Sequence, residues 1–218
     1  MCKGTLFIIS APSGAGKTSL IKCALESLDN VSVSISHTTR LPRPGELDGI
    51  NYHFISKHEF DYMRKRSKFL EYAEVHGNYY GTSRDCVEKI LLKGNDAVLE
   101  IDWQGANQVR EIFDNCCSIF ILPPSKEELR RRLFKRGQDQ ENTIRKRVAA
   151  AQEEMTHYNE ADFIIINDDF QKSCGRLKAI LGKHSDCKPT NYADPLLDRL
   201  LSDLLSILRG NIKYPFGL

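Results

Sequence analysis

Short apolar runs alternate along this chain with longer stretches of helical spacing. Apolar or alternating runs predict buried strands at residues 5–10, 31–36, 96–101, 118–122 and 163–167. Apolar residues that recur on one helical face predict helices at residues 17–28, 104–113, 125–136, 141–158 and 170–181. Strands that alternate with helices are typical of an α/β fold, so we expect a three-layer core in which helices cover both faces of a parallel sheet.

The pattern changes between residues 37 and 95, which are rich in Arg, Tyr, His and Gly. Early in this stretch regular structure is broken by Pro42, Pro44, Gly45 and Gly49. We interpret the stretch as an inserted lobe that carries ligand contacts. Residues 185–218 are expected to form a helical extension, because leucines between Leu196 and Leu208 make an apolar stripe. Docking of the stripe onto the core is the simpler expectation, and a homo-oligomer contact is the alternative.

Composition narrows the class of protein. The chain has 218 residues, of which 41% are hydrophobic and 28% charged, as in ordinary globular proteins. A net charge of +2 does not indicate a nucleic-acid partner, and no apolar run approaches the roughly 20 residues of a membrane helix. The seven cysteines include no C-x-x-C pair, which fits neither a zinc site nor a disulfide framework. We therefore expect reduced thiols in a cytoplasmic protein.

The turn after the first strand carries the clearest chemical signal. Residues 10–18 read Ser-Ala-Pro-Ser-Gly-Ala-Gly-Lys-Thr and match the phosphate-loop pattern G-x-x-x-x-G-K-[ST], except that Ala11 replaces the first glycine. In such a loop, backbone N–H groups converge on phosphate oxygens, the lysine reaches the β- and γ-phosphates, and the hydroxyl ligates Mg²⁺. The predicted nucleotide-binding residues are Ala11, Pro12, Ser13, Gly14, Ala15, Gly16, Lys17, Thr18 and Ser19.

A metal held by Thr18 also needs an acid from a neighbouring strand. The apolar strand at residues 96–101 is followed closely by Asp102 and contains Glu100, so either carboxylate is available to hold Mg²⁺ through water. We predict a site of Thr18 with Asp102.

The phosphate loop alone leaves three functions open: a nucleotide kinase, a GTPase-type switch and a binding module without chemistry. The N-K-x-D tetrapeptide typical of guanine-reading GTPases does not occur in the chain, and an intact Lys17-Thr18 pair disfavours the inactive module. A kinase must neutralise two phosphate groups that repel each other, and arginine suits bidentate phosphate contacts. The chain offers arginines in two clusters, namely Arg40 and Arg43, then Arg130, Arg131, Arg132, Arg136, Arg145 and Arg147.

Four further segments resemble the guanylate kinase family, especially its bacterial members. They are residues 36–46 (Ser-His-Thr-Thr-Arg-Leu-Pro-Arg-Pro-Gly-Glu), 77–82 (Gly-Asn-Tyr-Tyr-Gly-Thr), 101–105 (Ile-Asp-Trp-Gln-Gly) and 166–169 (Ile-Asn-Asp-Asp). The resemblance covers residues 3–184 in the family's order. It implies a core at residues 3–36 and 96–184, a GMP-binding lobe at about 37–95 and a lid at about 130–150.

By this resemblance, the GMP phosphate is held by Arg40, Arg43, Tyr52 and Tyr80, and the base is read by Ser36, Glu71 and Thr82. Glu71 also makes independent chemical sense, since a carboxylate accepts from both N1–H and the 2-amino group of guanine, and adenine lacks this donor pair. Asp102 matches the family, whereas Glu100 stands where the family commonly has Asp. Both acids are counted among the substrate-binding residues.

The resemblance implies that Arg132, Arg136 and Arg147 act with Lys17 on the transferring phosphoryl, and that Asn167 lies near the adenine. The expected reaction of purine metabolism is ATP + GMP → ADP + GDP with Mg²⁺, and dGMP would meet the same base-reading residues. Small molecules are thus the expected partners. The alternative is a guanylate-kinase-like module that binds a protein and has little activity.

Overall fold

The computed structural model describes residues 4–75, 77–113, 115–135, 141–183, 189–190 and 195–205. A five-stranded parallel sheet forms its centre, in the order β2-β7-β1-β8-β9. These strands are β1 (Leu6–Ser10), β2 (Val31–Val33), β7 (Asp96–Glu100), β8 (Cys116–Leu122) and β9 (Phe163–Ile166). A second sheet has the order β4-β3-β6-β5 and comprises β3 (His37–Thr38), β4 (His53–Phe54), β5 (Phe69–Val75) and β6 (Asn78–Ser83).

Eight α-helices accompany the two sheets in the described part of the chain. They are α1 (Lys17–Leu25), α2 (Lys57–Lys65), α3 (Arg84–Leu92), α4 (Trp103–Ile112), α5 (Lys126–Lys135), α6 (Glu141–Met155), α7 (Phe170–Leu181) and α8 (Pro195–Leu205). A 3-10 helix, Thr156–Glu160, follows α6. Within the described ranges, none of these helices has the length and apolarity needed to cross a membrane.

The predicted three-layer core is confirmed. Side chains alternate along β1, so Phe7 and Ile9 belong to the apolar cluster with α1 and α7, while Leu6 and Ile8 belong to the cluster with α3 and α4. All four are at most 1% exposed. The near-continuous apolar runs in the sequence therefore reflect strands that are buried on both faces.

Predicted element boundaries were wrong by a few residues where the chain changes direction. The strand expected at residues 31–36 ends at Val33, because the chain leaves the parallel sheet there. The chain then continues into β3, which belongs to the second sheet and pairs antiparallel with β6. The helix expected to reach residue 158 ends at Met155 and tightens into the 3-10 turn.

Side-chain caps begin several helices where the sequence changes from polar to periodic. Hydroxyl or carboxylate oxygens of Ser56, Ser83, Asp102, Ser125 and Asp169 accept a hydrogen bond from the backbone N–H three residues later. At the start of α5, Oγ of Ser125 lies 3.1 Å from the amide nitrogen of Glu128. The Glu128 carboxylate accepts hydrogen bonds from Arg131 and Arg132.

The C-terminal leucine stripe docks onto the helices α5 and α6. Leu197, Leu201 and Leu204 are buried in one cluster with residues of both helices, such as Leu133 and Met155. This confirms the simpler of the two expectations for the stripe. Leu208 lies outside the described residues.

The expectation that all thiols are reduced was wrong for one pair. Cys23 on α1 and Cys174 on α7 form a disulfide, with Cα atoms 6.2 Å apart. The two helices pack against each other on one face of the parallel sheet, and this packing brings together cysteines that are 151 residues apart. Among the described cysteines, Cys86, Cys116 and Cys117 are free thiols.

Candidate active site

A cleft of about 240 Å³ opens at the carboxyl ends of β1 and β7, opposite the second sheet. Ligand sites of parallel sheets form at such strand ends. The cleft gathers predicted residues from three parts of the sequence, namely Ala11, Pro12, Ser13, Gly14, Gly16, Lys17, Thr18, Ser36, Arg40, Arg43, Tyr52, Glu71, Tyr80, Glu100 and Asp102. Sequence motifs from the core and the lobe therefore face each other across one cavity.

Two glycines give the phosphate loop its shape. Gly14 and Gly16 have φ angles of 94° and 96°, a region that side chains rarely tolerate. A Cβ atom on Gly16 would also lie 2.5 Å from Nδ2 of Asn167. Ala11 is not among the positive-φ residues of the described part, so alanine fits at this position of the motif.

The loop is held from behind by its own backbone and by Asn167. The N–H of Ala15 donates to the carbonyl of Pro12 at 3.1 Å. The carbonyl of Ala15 accepts from Nδ2 of Asn167 at 2.7 Å and from a guanidinium nitrogen of Arg132 at 3.2 Å. Asn167, which was predicted near the adenine, thus supports the loop with its side-chain amide.

Lys17 and Thr18, the two residues that follow the glycines of the loop, both have hydrogen-bond partners at the end of β7. Nζ of Lys17 donates to the carbonyl of Ile101 at 2.9 Å. The Thr18 hydroxyl donates to a carboxylate oxygen of Glu100 in a very short hydrogen bond. Asp102 instead caps α4, where its Oδ1 accepts from the Gly105 N–H at 2.9 Å and its Oδ2 from the Gln104 side chain at 3.3 Å.

The three residues predicted to read the base form one connected group inside the lobe. The Thr82 hydroxyl donates to Oε1 of Glu71 at 2.5 Å and lies 3.5 Å from the Ser36 hydroxyl. Glu71 is only 4% exposed, and this burial raises the pKa of its carboxyl to about 7, against the hydrogen bond from Thr82, which lowers it. A Cβ atom on Gly105 would lie 2.5 Å from Oε2 of Glu71, so this glycine leaves room for the carboxylate beside α4.

The residues predicted to hold the GMP phosphate surround one guanidinium group. Both terminal nitrogens of Arg40 donate to Glu46, each at 2.9 Å, and these bonds raise the pKa of Arg40 and lower that of Glu46. Nε of Arg40 is buried without a hydrogen-bond partner among the described residues. The Tyr52 ring lies 5.4 Å from this guanidinium and 5.9 Å from the Tyr80 ring. Burial raises the pKa of Tyr52 to about 12.

Arg132 lies on the other side of the loop and contacts it directly. Its guanidinium donates to the carbonyls of Ala15 and Asn167, and its Nε donates to Glu128 at 2.6 Å. Glu128 also accepts from Arg131, and the two arginines lower the pKa of its carboxyl to about 2. A second cavity of about 510 Å³ lies here and is lined by Gly14, Gly16, Ser19, Glu128, Arg131, Arg132, Asn167, Asp168 and Phe170.

Some predicted residues lie elsewhere or outside the described residues. Thr82 is buried behind the cleft wall, and Arg147 lies on α6 but not among the described residues that line the cleft. Arg136 falls outside the described residues.

Sequence reasoning missed four residues that shape the site: Glu46, Gly105, Glu128 and Glu154. Three of them offered a signal: Glu46 and Gly105 close the motifs at residues 36–46 and 101–105, and Glu128 follows Ser125 by three residues, the spacing of a helix capping box. Glu154 lies in a charged helix where no local pattern distinguishes it.

A phosphate loop that faces Arg40 and Arg43 across one cleft defines a phosphate-loop nucleotide phosphotransferase. The comparisons with known proteins identify the family within this class. The family model described as guanylate kinase matches residues 3–184, and the chain belongs to the guanylate kinase family.

Individual relatives extend this similarity along most of the chain. The guanylate kinase of Alkalilimnicola ehrlichii is 52% identical over 204 residues, which cover 93% of this chain and 98% of that protein. The guanylate kinase of Vibrio vulnificus is 53% identical over 208 residues, covering 93% of this chain and all of that protein. The crystal structure of guanylate kinase from Anaplasma phagocytophilum matches with a TM-score of 0.69 at 33% identity, covering 93% of this chain and 95% of that chain.

Proposed function

We propose that this protein is an ATP:GMP phosphotransferase that converts ATP and GMP into ADP and GDP. The observation that carries the proposal is the buried carboxylate of Glu71, which faces the phosphate loop across the same cleft. Ionised Glu71 can accept from N1–H and the 2-amino group of guanine. Adenine offers no such pair, and a buried carboxylate without donors costs on the order of 1–3 kcal/mol or more.

The acceptor phosphate is assigned to Arg40, Arg43, Tyr52 and Tyr80. Glu46 holds the guanidinium of Arg40 beside the Tyr52 ring through both terminal nitrogens. Guanidinium and phenol groups donate hydrogen bonds that a phosphate accepts. In this proposal the acceptor lies between Glu71 at one end of the cleft and the phosphate loop at the other.

Catalysis in this proposal is positioning and charge stabilisation. The loop N–H groups other than those of Ser13 and Ala15, which already have protein partners, hold the donor phosphates together with Lys17. Arg132 and Arg147 stabilise charge on the transferring phosphoryl. Arg136 keeps the same predicted role. Phosphoryl transfer needs little covalent assistance from the protein, so the mechanism requires no dedicated general base.

The chemistry of the cleft fits Mg²⁺, which prefers hydroxyl and carboxylate oxygens. Thr18 and Glu100 already contact each other at the edge of the loop. Both carboxylate oxygens of Asp102 have partners at the start of α4, so we assign Thr18 and Glu100 as the primary pair and Asp102 as the residue that orders the helix beside them. When bound with ATP, Mg²⁺ neutralises charge on the phosphate oxygens.

The adenosine of ATP is assigned to the second cavity, which shares Gly14 and Gly16 with the phosphate loop. Asn167 supports the loop at the edge of that cavity. We place the enzyme in the cytoplasm, where both nucleotides are available. Self-association through α8 is not part of the proposal, because Leu197, Leu201 and Leu204 are buried against α5 and α6.

A coupled assay of ADP release tests the function. Purified protein with ATP and Mg²⁺ is given GMP, dGMP, AMP, CMP or UMP, and strong turnover is expected with GMP and with dGMP, which offers the same base. Turnover with AMP or UMP in place of GMP would contradict the acceptor assignment. ATP consumption without any acceptor, or none under any condition, would point to a hydrolase or to the binding module.

A further inference from the structure

Glu154 connects the helix α6 to the phosphate loop. Its Oε2 accepts a hydrogen bond from the backbone N–H of Ser13 at 2.9 Å, across 141 residues of sequence. The side chain is half-buried and lines the cleft beside the loop. A hydrogen bond to an ionised carboxylate is roughly twice as strong as a neutral one, so this contact can restrain the backbone.

The loop needs such a restraint at this position. Pro12 has no N–H, and the N–H of Ala15 is turned inward to the Pro12 carbonyl. Immediately after Ser13, Gly14 takes a positive φ of 94°, which an unsupported glycine leaves easily. The carbonyl of Ala15 is fixed from the opposite side by Asn167. Glu154 therefore anchors the loop from α6, in addition to the anchors that Asn167 and Arg132 provide at Ala15.

The same helix face carries a predicted catalytic arginine. Arg147 precedes Glu154 by seven residues, which is two helical turns, or about 10 Å along the axis. Residues seven apart lie on one face of a helix. A bond from Glu154 to the loop thus sets the distance and rotation of the Arg147 face relative to the donor phosphates.

We propose that Glu154 is a positioning residue for phosphoryl transfer: it clamps α6 to the phosphate loop and thereby places Arg147. This inference rests on the proposed kinase function. Glu154 is not a catalytic residue in this scheme, since it acts through the Ser13 backbone and through Arg147.

Steady-state kinetics of three single variants test the clamp. Glu154→Ala removes the acceptor, and kcat should fall about 10- to 100-fold, because a misplacement of about 1 Å can cost 100-fold in rate. KM for GMP should stay within about twofold of wild type, since the acceptor site lies in the lobe. Glu154→Gln keeps an acceptor oxygen and should recover most of the loss. The control Glu153→Ala changes the neighbouring exposed carboxylate and should match wild type.

A double-mutant cycle with Arg147→Ala separates positioning from general structural support. If Glu154 acts through Arg147, the double variant should be about as slow as Arg147→Ala alone. Multiplicative losses in kcat, or wild-type kcat in Glu154→Ala, would overturn the proposal. An inactive wild type in the same assay would instead refute the proposed kinase function.

Hydrogen exchange of the Ser13 amide gives a readout that does not depend on turnover. In the unliganded protein this amide should exchange faster in Glu154→Ala than in wild type, while the Thr39 amide, bonded to the Tyr79 carbonyl in the lobe, should be unchanged. If Glu154→Ala does not fold, Glu154→Asp keeps the charge with a shorter reach and is measured in the same way. Unchanged exchange at Ser13 in a folded variant would also overturn the clamp.

Discussion

The proposed base-reading pocket and the proposed phosphate-binding surfaces differ in how their charged groups are held before a ligand binds. In the pocket, Ser36, Thr82 and Glu71 are buried and contact one another. Where phosphates are proposed to bind, three cations have oxygen partners within the protein. Arg40 contacts Glu46, Arg132 contacts Glu128, and Lys17 contacts a backbone carbonyl.

The difference follows from the cost of burying charge. A single carboxylate can remain in the pocket because its pKa is raised, so it exchanges a proton instead of requiring a cation. Arginine stays charged at all physiological pH values, so Arg40 and Arg132 each keep a carboxylate partner instead. We therefore expect recognition of the base to depend on pH, and recognition of phosphate to depend on the partners of each cation.

The largest effect is expected on the phosphate side. Lys17→Ala removes the cation that reaches the donor phosphates, and kcat should fall by about 10²- to 10³-fold or more, since a single lost stabilising donor costs this much. The melting temperature should change little, because the Lys17 side chain has one hydrogen bond to Ile101 in this structure. Lys22→Ala, on the same helix, is the control. Near-normal turnover in Lys17→Ala would contradict the assignment of residues 10–18 as the phosphate-binding loop.

A large but selective effect is expected in the pocket. Glu71→Gln replaces one acceptor oxygen with a donor that opposes guanine, and KM for GMP should rise about 10- to 100-fold, in line with 1–3 kcal/mol for an unmatched buried group. KM for ATP should stay within about twofold. Glu74→Gln on the same strand points to solvent and is the matched control. Equal losses for both substrates would show that the two regions are not independent.

The pH dependence tests the proposed contrast directly. Because the pKa of Glu71 is about 7, GMP affinity should rise as pH increases through 7 and fall about tenfold per unit well below it. Glu71→Gln should lack this dependence. Isothermal titration of GMP from about pH 5.5 to about pH 8, on either side of this pKa, measures the pH dependence of GMP affinity. A flat wild-type profile would contradict the assignment.

The Glu71 carboxyl also makes the free energy of unfolding depend on pH. Its pKa in the folded protein lies above the unfolded value, so its contribution to stability is fully present below the unfolded pKa and is lost as pH rises through about 7. Urea titrations should therefore show less decline in the free energy of unfolding over this range for Glu71→Gln than for wild type.

The smallest effect on turnover is expected from the disulfide that joins α1 to α7. Reduction of the bond between Cys23 and Cys174 should lower the free energy of unfolding by about 2–4 kcal/mol, because it closes a long loop in the unfolded chain. Melting with and without a thiol reductant measures this. Cys23→Ser should be insensitive to the reductant, and kcat should stay within about twofold. A large change in KM for GMP would contradict the separation of the two regions.

Much of the fold could be predicted because its signals are local. The periodicity of residues 6–10 and 17–25 marks β1 and α1, and the loop between them is a contiguous motif whose chemistry follows from its order. Glu71 was located through a family resemblance supported by the hydrogen-bonding pattern of guanine.

The contacts that complete the site could not be predicted, because their partners are far apart in the chain. Glu154 meets Ser13 across 141 residues, and Gly105 leaves space for a carboxylate on a different element. Such pairs depend on helix packing and on the rotation of each helix face, which no local window specifies. The exact ends of β2 and α6 were wrong for the same reason, since both are set by where the chain departs from its neighbours.

The sequence by itself determined the alternation of strands and helices, the phosphate loop and the residue types available to read a guanine nucleotide. These features depend on periodicity, on backbone freedom at glycine and on the chemistry of individual side chains, all of which belong to short segments. The tertiary structure alone decided which carboxylate engages each cation, which acid stands beside Thr18, and that Cys23 and Cys174 are joined. Those outcomes depend on distances between segments, and burial sets the protonation and the pairing of the groups that meet there.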